Sequence, residues 1–364
     1  MMRDKVTPVL LFLVLTISTM SLSQGLQMDT MTYLYPGESR HLSNLRQLTF
    51  GGDNAEAYFS FDGRKIVFQS TNKQWGDSCD QIYAFDLSKG NMKSGPPQLI
   101  STGDGRTTCA YFMPGDSLIL YASTHEGSAS CPQVPPRRAD GKYVWAIYPD
   151  FDIYVAGLDG KNRRKLTDQP GYDAEATVSP NGKSIVFTST RSGDLELYTM
   201  NTDGSNIRQV TDQLGYDGGA FFSPDSKKLI FRASRPKTDE EVQEYKELLT
   251  ENLVQPTHME LYTCNVDGSD LKKITDVPNA CWAPFFHPSG KKVIFSSNHT
   301  STRGLPFNLW MVDLETSKLE QITFDGMFDA FPMFSPDGKK LIFSSNRNNG
   351  GTRDTNLFIA DWKD

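Results

Sequence analysis

The sequence predicts an all-β fold, a six-bladed β-propeller, and three observations carry that expectation. A turn motif typified by Ser335-Pro336-Asp337-Gly338 recurs at blade-sized intervals. A short apolar run follows every copy. Two further strand-like segments then complete each unit before the next turn arrives.

The turns are Ser60-Phe61-Asp62-Gly63, Met113-Pro114-Gly115-Asp116, Ser179-Pro180-Asn181-Gly182, Ser223-Pro224-Asp225-Ser226, His287-Pro288-Ser289-Gly290 and Ser335-Pro336-Asp337-Gly338. Proline presets one backbone angle, and Asp, Asn or Gly accept the left-handed angle that reverses a hairpin. The second strands that follow contain Ile66-Val67-Phe68, Leu118 to Tyr121, Ile185-Val186-Phe187, Leu229-Ile230-Phe231, Val293-Ile294-Phe295 and Leu341-Ile342-Phe343. Unbroken runs of this kind suit strands covered on both faces. Third strands lie around Ile82-Tyr83, Ile153-Tyr154, Leu197-Tyr198, Leu261-Tyr262, Leu309-Trp310 and Leu357-Phe358, and three of them enter the hairpin signals Asp159-Gly160, Asp203-Gly204 and Asp267-Gly268. Fourth strands end near Ser101, Thr167, Thr211, Thr275 and Thr323. The sixth unit lacks one, whereas Arg46-Gln47-Leu48-Thr49 has that pattern ahead of the first turn. The expected ring therefore closes with the N-terminal strand completing the last blade, which removes open sheet edges.

Arg3 and Lys5, the apolar run Val6–Ile17 and the small residues up to Ser23 read as a signal peptide over 1–23. A segment over 24–44 and the propeller over 45–364 follow. The apolar run is shorter than the roughly 18 residues of a membrane span, so the expectation is a periplasmic or secreted protein with no span after cleavage. Removing Asp4 with Arg3 and Lys5 takes the formal charge from −7 to −8. Such a chain lacks the basic stripe that nucleic acid demands, and the lysine pairs beside the turns read as solvated ends.

Export permits disulfides. Cys79, Cys109 and Cys131 all fall near one face of the ring, so a bridge among these three is expected, with Cys264 a buried free thiol. The same face receives two insertions between second and third strands. One, Glu126–Asp150, carries Tyr143, Trp145 and Tyr148. The other opens with the capping box Thr238-Asp239-Glu240-Glu241 and continues with Val242, Tyr245, Leu249 and Leu253 at helical spacing, so blade four should carry a short helix.

Comparing the repeats with one another separates scaffold from departures. The residue ending the second strand reads Asn72, His125, Arg191, Arg235, His299, Arg347, and the residue six before the turn reads Asn54, Thr107, Asp173, Asp217, Cys281, Asp329. Asp and Arg coincide in blades three, four and six, which predicts structural ion pairs. His125 and His299 depart in opposite blades and are candidates for the channel mouth, as ligand or metal groups. Glu56 and Glu175, equivalent on the innermost strands, would add carboxylates there.

The repeated order of Leu-Thr, Ser-Pro-Asp-Gly, an apolar run ending in Ser-Ser-Asn-Arg, then Leu-Tyr with Asp-Gly resembles the TolB-type, WD40-like propeller repeat over 45–364. What resembles is the propeller, without the α/β domain that precedes it in TolB and without a peptidase domain. No Gly-x-Ser-x-Gly elbow or His-Glu-x-x-His helix is present. A propeller scaffold with no recognisable catalytic module leads to the expectation of a non-enzymatic, monomeric binding module for an envelope protein, peptide or glycan. Related repeats occur in oligogalacturonate lyases, whose metal is held partly by histidines, so a carbohydrate-active enzyme is the alternative, as is a propeller partner of a separate peptidase. The residues name no cofactor. The expected ligand site is the mouth lined by His125, Tyr143, Trp145, Tyr148, His299, Glu56 and Glu175.

Overall fold

The computed structural model describes residues 33–364; the expected signal peptide and residues 24–32 lie outside them. Six four-stranded antiparallel sheets form the ring, together with one two-stranded sheet. Their innermost strands are Asp53–Phe59, Thr107–Phe112, Asp173–Val178, Asp217–Phe222, Cys281–Phe286 and Asp329–Phe334. The central phenylalanines of the second strands, Phe68, Phe187, Phe231, Phe295 and Phe343, are fully buried between neighbouring blades, as expected of strands covered on both faces.

The last sheet is completed from the other end of the chain. Leu42–Gln47 pairs antiparallel with Asn356–Trp362, Leu42 facing Trp362 and Gln47 facing Phe358. This strand begins three residues before Leu45, because the segment ahead of it is also anchored. Glu38 is completely buried and receives both guanidinium ends of Arg347 at 3.0 and 3.1 Å, while its oxygens also accept from the Tyr35 and Phe324 amides.

Neighbouring turns between first and second strands touch around the ring. A Cβ on Gly182 would stand 2.7 Å from the Pro114 ring of the preceding blade. Where Asp116 replaces the turn glycine, its carboxylate instead accepts from the Phe61 and Asp62 amides of the preceding turn at 2.8 and 2.9 Å. The repeated Pro and Gly thus serve contacts between blades as well as chain reversal.

The helix spans Asp239–Thr250 with the Thr238–Glu241 box formed. Its buried face is Tyr245 and Leu248, with Leu249 only partly covered. Leu253 does not extend the helix. It lies in the short strand Leu253–Val254, which pairs with Trp145–Ala146 of the other insertion. A disulfide joins Cys79 to Cys131, while Cys109, Cys264 and Cys281 are buried free thiols.

Candidate functional site

Each innermost strand breaks register at the same place, between positions equivalent to Ala55 and Tyr58. A bulge there turns one residue per blade into the left-handed region: Glu56, Cys109, Glu175, Gly219, Ala283 and Phe331, with φ between 47° and 59°. All six line one small void on the ring axis. Glu56 and Glu175 do therefore share one level of the channel. The void is about 20 Å³, room for about one water.

Directly beside it the axis is filled. Tyr58 and Phe221, from opposite blades, approach to 5.4 Å between ring centroids, and Phe221 meets Phe285 at 5.2 Å. The ring is therefore closed along its axis: aromatic residues two positions beyond the bulge meet across it.

Glu175 is the most heavily hydrogen-bonded carboxylate of this level. It accepts from Arg232 Nη2 at 2.6 Å, from the Tyr216 hydroxyl at 2.7 Å, from Thr188 Oγ1 at 2.8 Å and from the Gly219 amide at 2.8 Å. Burial alone would depress the Arg232 guanidinium, yet the Glu175 carboxylate beside it raises it. Two glycines make the space: a Cβ on Gly218 would lie 2.3 Å from Glu175 Oε2, and one on Gly219 2.5 Å from Arg232 Nη1. Glu56 has no such partner. Burial pushes its carboxyl up to about 7, against a hydrogen bond from the Cys109 thiol, and its Oε2 has no hydrogen-bonding partner.

Above this level the two insertions form a strap. Cys131 ties its start to Cys79 in blade one. Pairing of Trp145–Ala146 with Leu253–Val254 fastens its far end to blade four, and Lys142 and Arg138 form ion pairs with Glu244 and Glu251 at the helix. Trp145 lies over the Arg232 guanidinium at 5.2 Å and against Trp282 at 5.1 Å. From Trp282 an aromatic row continues through Phe307, Phe328 and Phe331.

The expected mouth residues are thus not one constellation. Trp145 is half-buried as the underside of the strap, Tyr148 donates its hydroxyl to the Gln133 carbonyl at 3.0 Å, and only Tyr143 is freely exposed. His125 and His299 do not meet at the mouth. Each binds the serine two residues before it, Ser123 at 2.9 Å and Ser297 at 3.0 Å, and lies on the third-strand aromatic of its own blade, Tyr154 at 4.5 Å and Trp310 at 4.2 Å. Arg191 and Arg347 do the same through Ser189 and Ser345. The histidines therefore fill the arginine slot, away from the axis. Burial lowers the pKa of both imidazoles, so both are neutral at pH 7. No group of three or more potential metal-ligating side chains occurs among the described residues. The three expected Asp–Arg pairs are present, Asp173–Arg191 at 2.8 Å, Asp217–Arg235 at 2.6 Å and Asp329–Arg347 at 3.0 Å.

The mouth face carries most of the exposed large apolar side chains, among exposed charged ones such as Glu126, Arg137 and Arg303. Of the exposed large apolar side chains, Val134, Tyr143, Leu214, Leu305, Phe324 and Met327 lie on loops of this face, whereas Leu118 and Ile207 lie on the opposite one and Tyr35 beside Arg347 at the edge. Sequence comparison between repeats missed this distribution, since loops between blades share no pattern. A count of apolar residues in the segment 324–328 alone was the available signal.

Residues 148–252 match the family described as TolB beta propeller domain. The Tol-Pal system protein TolB of Bordetella pertussis is 48% identical over 42 residues, covering 11% of this chain and 10% of that protein, so the chain spans about a tenth of the curated relatives it matches. Among solved structures, a putative TolB from Agrobacterium tumefaciens superposes with a TM-score of 0.51 at 20% identity, over 86% of this chain and 91% of that one. An oligogalacturonate lyase from Vibrio parahaemolyticus reaches 0.50 at 11% identity, over 87% and 93%; at these identities both likenesses concern the fold. The chain is a six-bladed β-propeller of which residues 148–252 match the TolB beta propeller domain.

Proposed function

We propose that the protein is an exported, non-enzymatic binding module that docks a partner protein of the cell envelope on its strap-bearing face. The observation that carries this reading is the concentration of exposed apolar side chains, among them Leu305, Phe324 and Met327, on the half of that face the strap leaves uncovered. Exposed apolar patches of this kind mark association surfaces, and aromatic and methionine side chains are enriched in interface cores. Export is supported by the basic start and apolar run of residues 3–17 and by the Cys79–Cys131 bridge, which suits an oxidising compartment. The closed axis argues for docking on the face rather than threading through the ring.

A photo-crosslinking residue placed at Met327, at Tyr143 and, as control, at Lys339 on the opposite face tests this in the native envelope. Crosslinks to one protein from Met327 and Tyr143 and none from Lys339 are expected. Crosslinks from Lys339 alone, or release of unsaturated sugars by the purified protein, would overturn the reading.

A further inference from the structure

The opposite face carries a cleft between blades three and four of about 750 Å³, within the range of small-ligand sites. Its walls are the end of the third strand Glu196–Asn201 with the fourth strand Arg208–Gln209, the turn at Ser226–Lys227, and the turn Asn265–Asp267. The outer wall is held in place by close backbone contact: a Cβ on Gly268 would stand 2.1 Å from the Val210 carbonyl.

The repeat places a cation on the fourth strand of one blade and another just after the first turn of the next at several seams. These are Arg46 with Arg64, Arg164 with Lys183, Arg208 with Lys227, and Lys272 with Lys291. Arg64 pairs with Asp62 at 2.7 Å and Lys272 with Asp270 at 2.9 Å, while Arg164 donates to the Asp203 carbonyl at 2.8 Å and Arg46, Lys183 and Lys291 form no salt bridge among the described residues. At the seam of blades three and four, neither Arg208 nor Lys227 has a carboxylate within salt-bridge distance among the described residues; Arg208 Nε donates only to Asn206 Oδ1 at 3.2 Å. The acid on the lining, Asp267, is turned into its own hairpin, accepting from the Ser269 amide at 3.0 Å and hydroxyl at 2.6 Å. Two cations without a salt-bridging carboxylate, in a chain of formal charge −7, thus border a cleft lined otherwise mainly by amides and hydroxyls, including Gln209, Ser226 and Asn265; what distinguishes this seam from the others is the cleft itself.

We propose that this cleft binds a carboxylate-bearing oligosaccharide. The acid group sits between Arg208 and Lys227, and the surrounding amide and hydroxyl side chains take the sugar hydroxyls. A guanidinium is matched in shape to a carboxylate, and the mixed donors and acceptors of the walls match hydroxyls, which need both. This site is separate from the partner-binding face and does not depend on that reading.

Isothermal titration of the full chain with an alginate hexasaccharide at low ionic strength, against neutral maltohexaose and inorganic phosphate, tests it. Alginate should bind, more weakly as salt is added. Affinity should fall about five-fold or more in Arg208→Ala and in Lys227→Ala, as the loss of about 1 kcal/mol per exposed charge contact implies, and stay unchanged in Lys339→Ala. Both cleft variants should keep the Met327 crosslink, which separates failure here from failure of the partner reading. Equal affinity of wild type and both variants would overturn the proposal, as would phosphate binding as tightly as the hexasaccharide, which would make the site one for a bare anion.

Discussion

Replacing Glu196 with glutamine should flatten the pH dependence of the ring's stability. Glu196 begins the third strand of blade three and Asp217 begins the first strand of blade four; both are buried, at 3% and 0% exposure. Arg235 neutralises Asp217 at 2.6 Å, but one Glu196 oxygen has no partner. Burial first, and the Asp217 charge after it, push the Glu196 carboxyl from 4.5 up to about 8. The folded state therefore keeps a proton on Glu196 that the unfolded chain releases near 4.5. Between these two values the unfolded state binds fewer protons, so stability falls as pH rises, by about 1.4 kcal/mol per pH unit for one group. From pH 5 to 8 that is about 4 kcal/mol at most, a large share of the about 5–15 kcal/mol of a typical domain. Asp217, also raised by burial, adds to the fall in the acidic part of the window. Glutamine keeps the shape and supplies a permanent N–H donor toward Asp217. Urea midpoints followed by tryptophan fluorescence at pH 5, 6.5 and 8 measure the effect. Wild type should lose about 1 M or more of its midpoint across that range, judged from urea m-values of about 3 kcal/mol/M, and Glu196→Gln much less, so that the variant is the more stable protein at pH 8. Parallel pH profiles for the two proteins would refute the assignment of a retained proton to Glu196.

Denatured, unreduced mature protein should titrate three thiols, those of Cys109, Cys264 and Cys281; five would remove the Cys79–Cys131 bridge. Trp145→Ala should loosen the strap without opening the ring, because it removes contacts with Arg232 and Trp282 and no blade core residue. Amide exchange should quicken at Trp145–Ala146 and Leu253–Val254 while the innermost strands stay protected, and uniform protection would show that the strap is held by the disulfide and ion pairs alone.

The blades were legible in the sequence because a turn, an apolar run and two short strands repeat in phase six times, and the Asp–Arg pairs were legible because both members lie within one repeat. The Glu175–Arg232 pair was not. Its members come from different blades, 57 residues apart, and Arg232 sits inside a run that periodicity reads as buried strand. Its space comes from Gly218 and Gly219, whose meaning depends on what lies opposite them. The strap was hidden for another reason: strands of two residues have no period. His125 and His299 stood out by identity, yet the slot they occupy asks only for a nitrogen toward serine and a flat surface toward an aromatic ring, which arginine also satisfies. Difference from the repeat marked them without assigning a role.

The fastening of Glu38 to Arg347 sets a timetable for the chain. The two residues are 309 positions apart, and among the described residues the strand that follows Glu38 has its one sheet neighbour in Asn356–Trp362. While the ribosome is still producing blades one to five, Leu42–Gln47 is an unclaimed β-edge and Glu38 a carboxylate without its cation. Contacts this distant in sequence form slowly, since loop-closure entropy is met before any pairing offsets it. A nascent or translocating chain must therefore keep Leu42–Gln47 from neighbouring chains until Asn356–Trp362 has been made, which gives any holding factor that accompanies it a specific segment to protect.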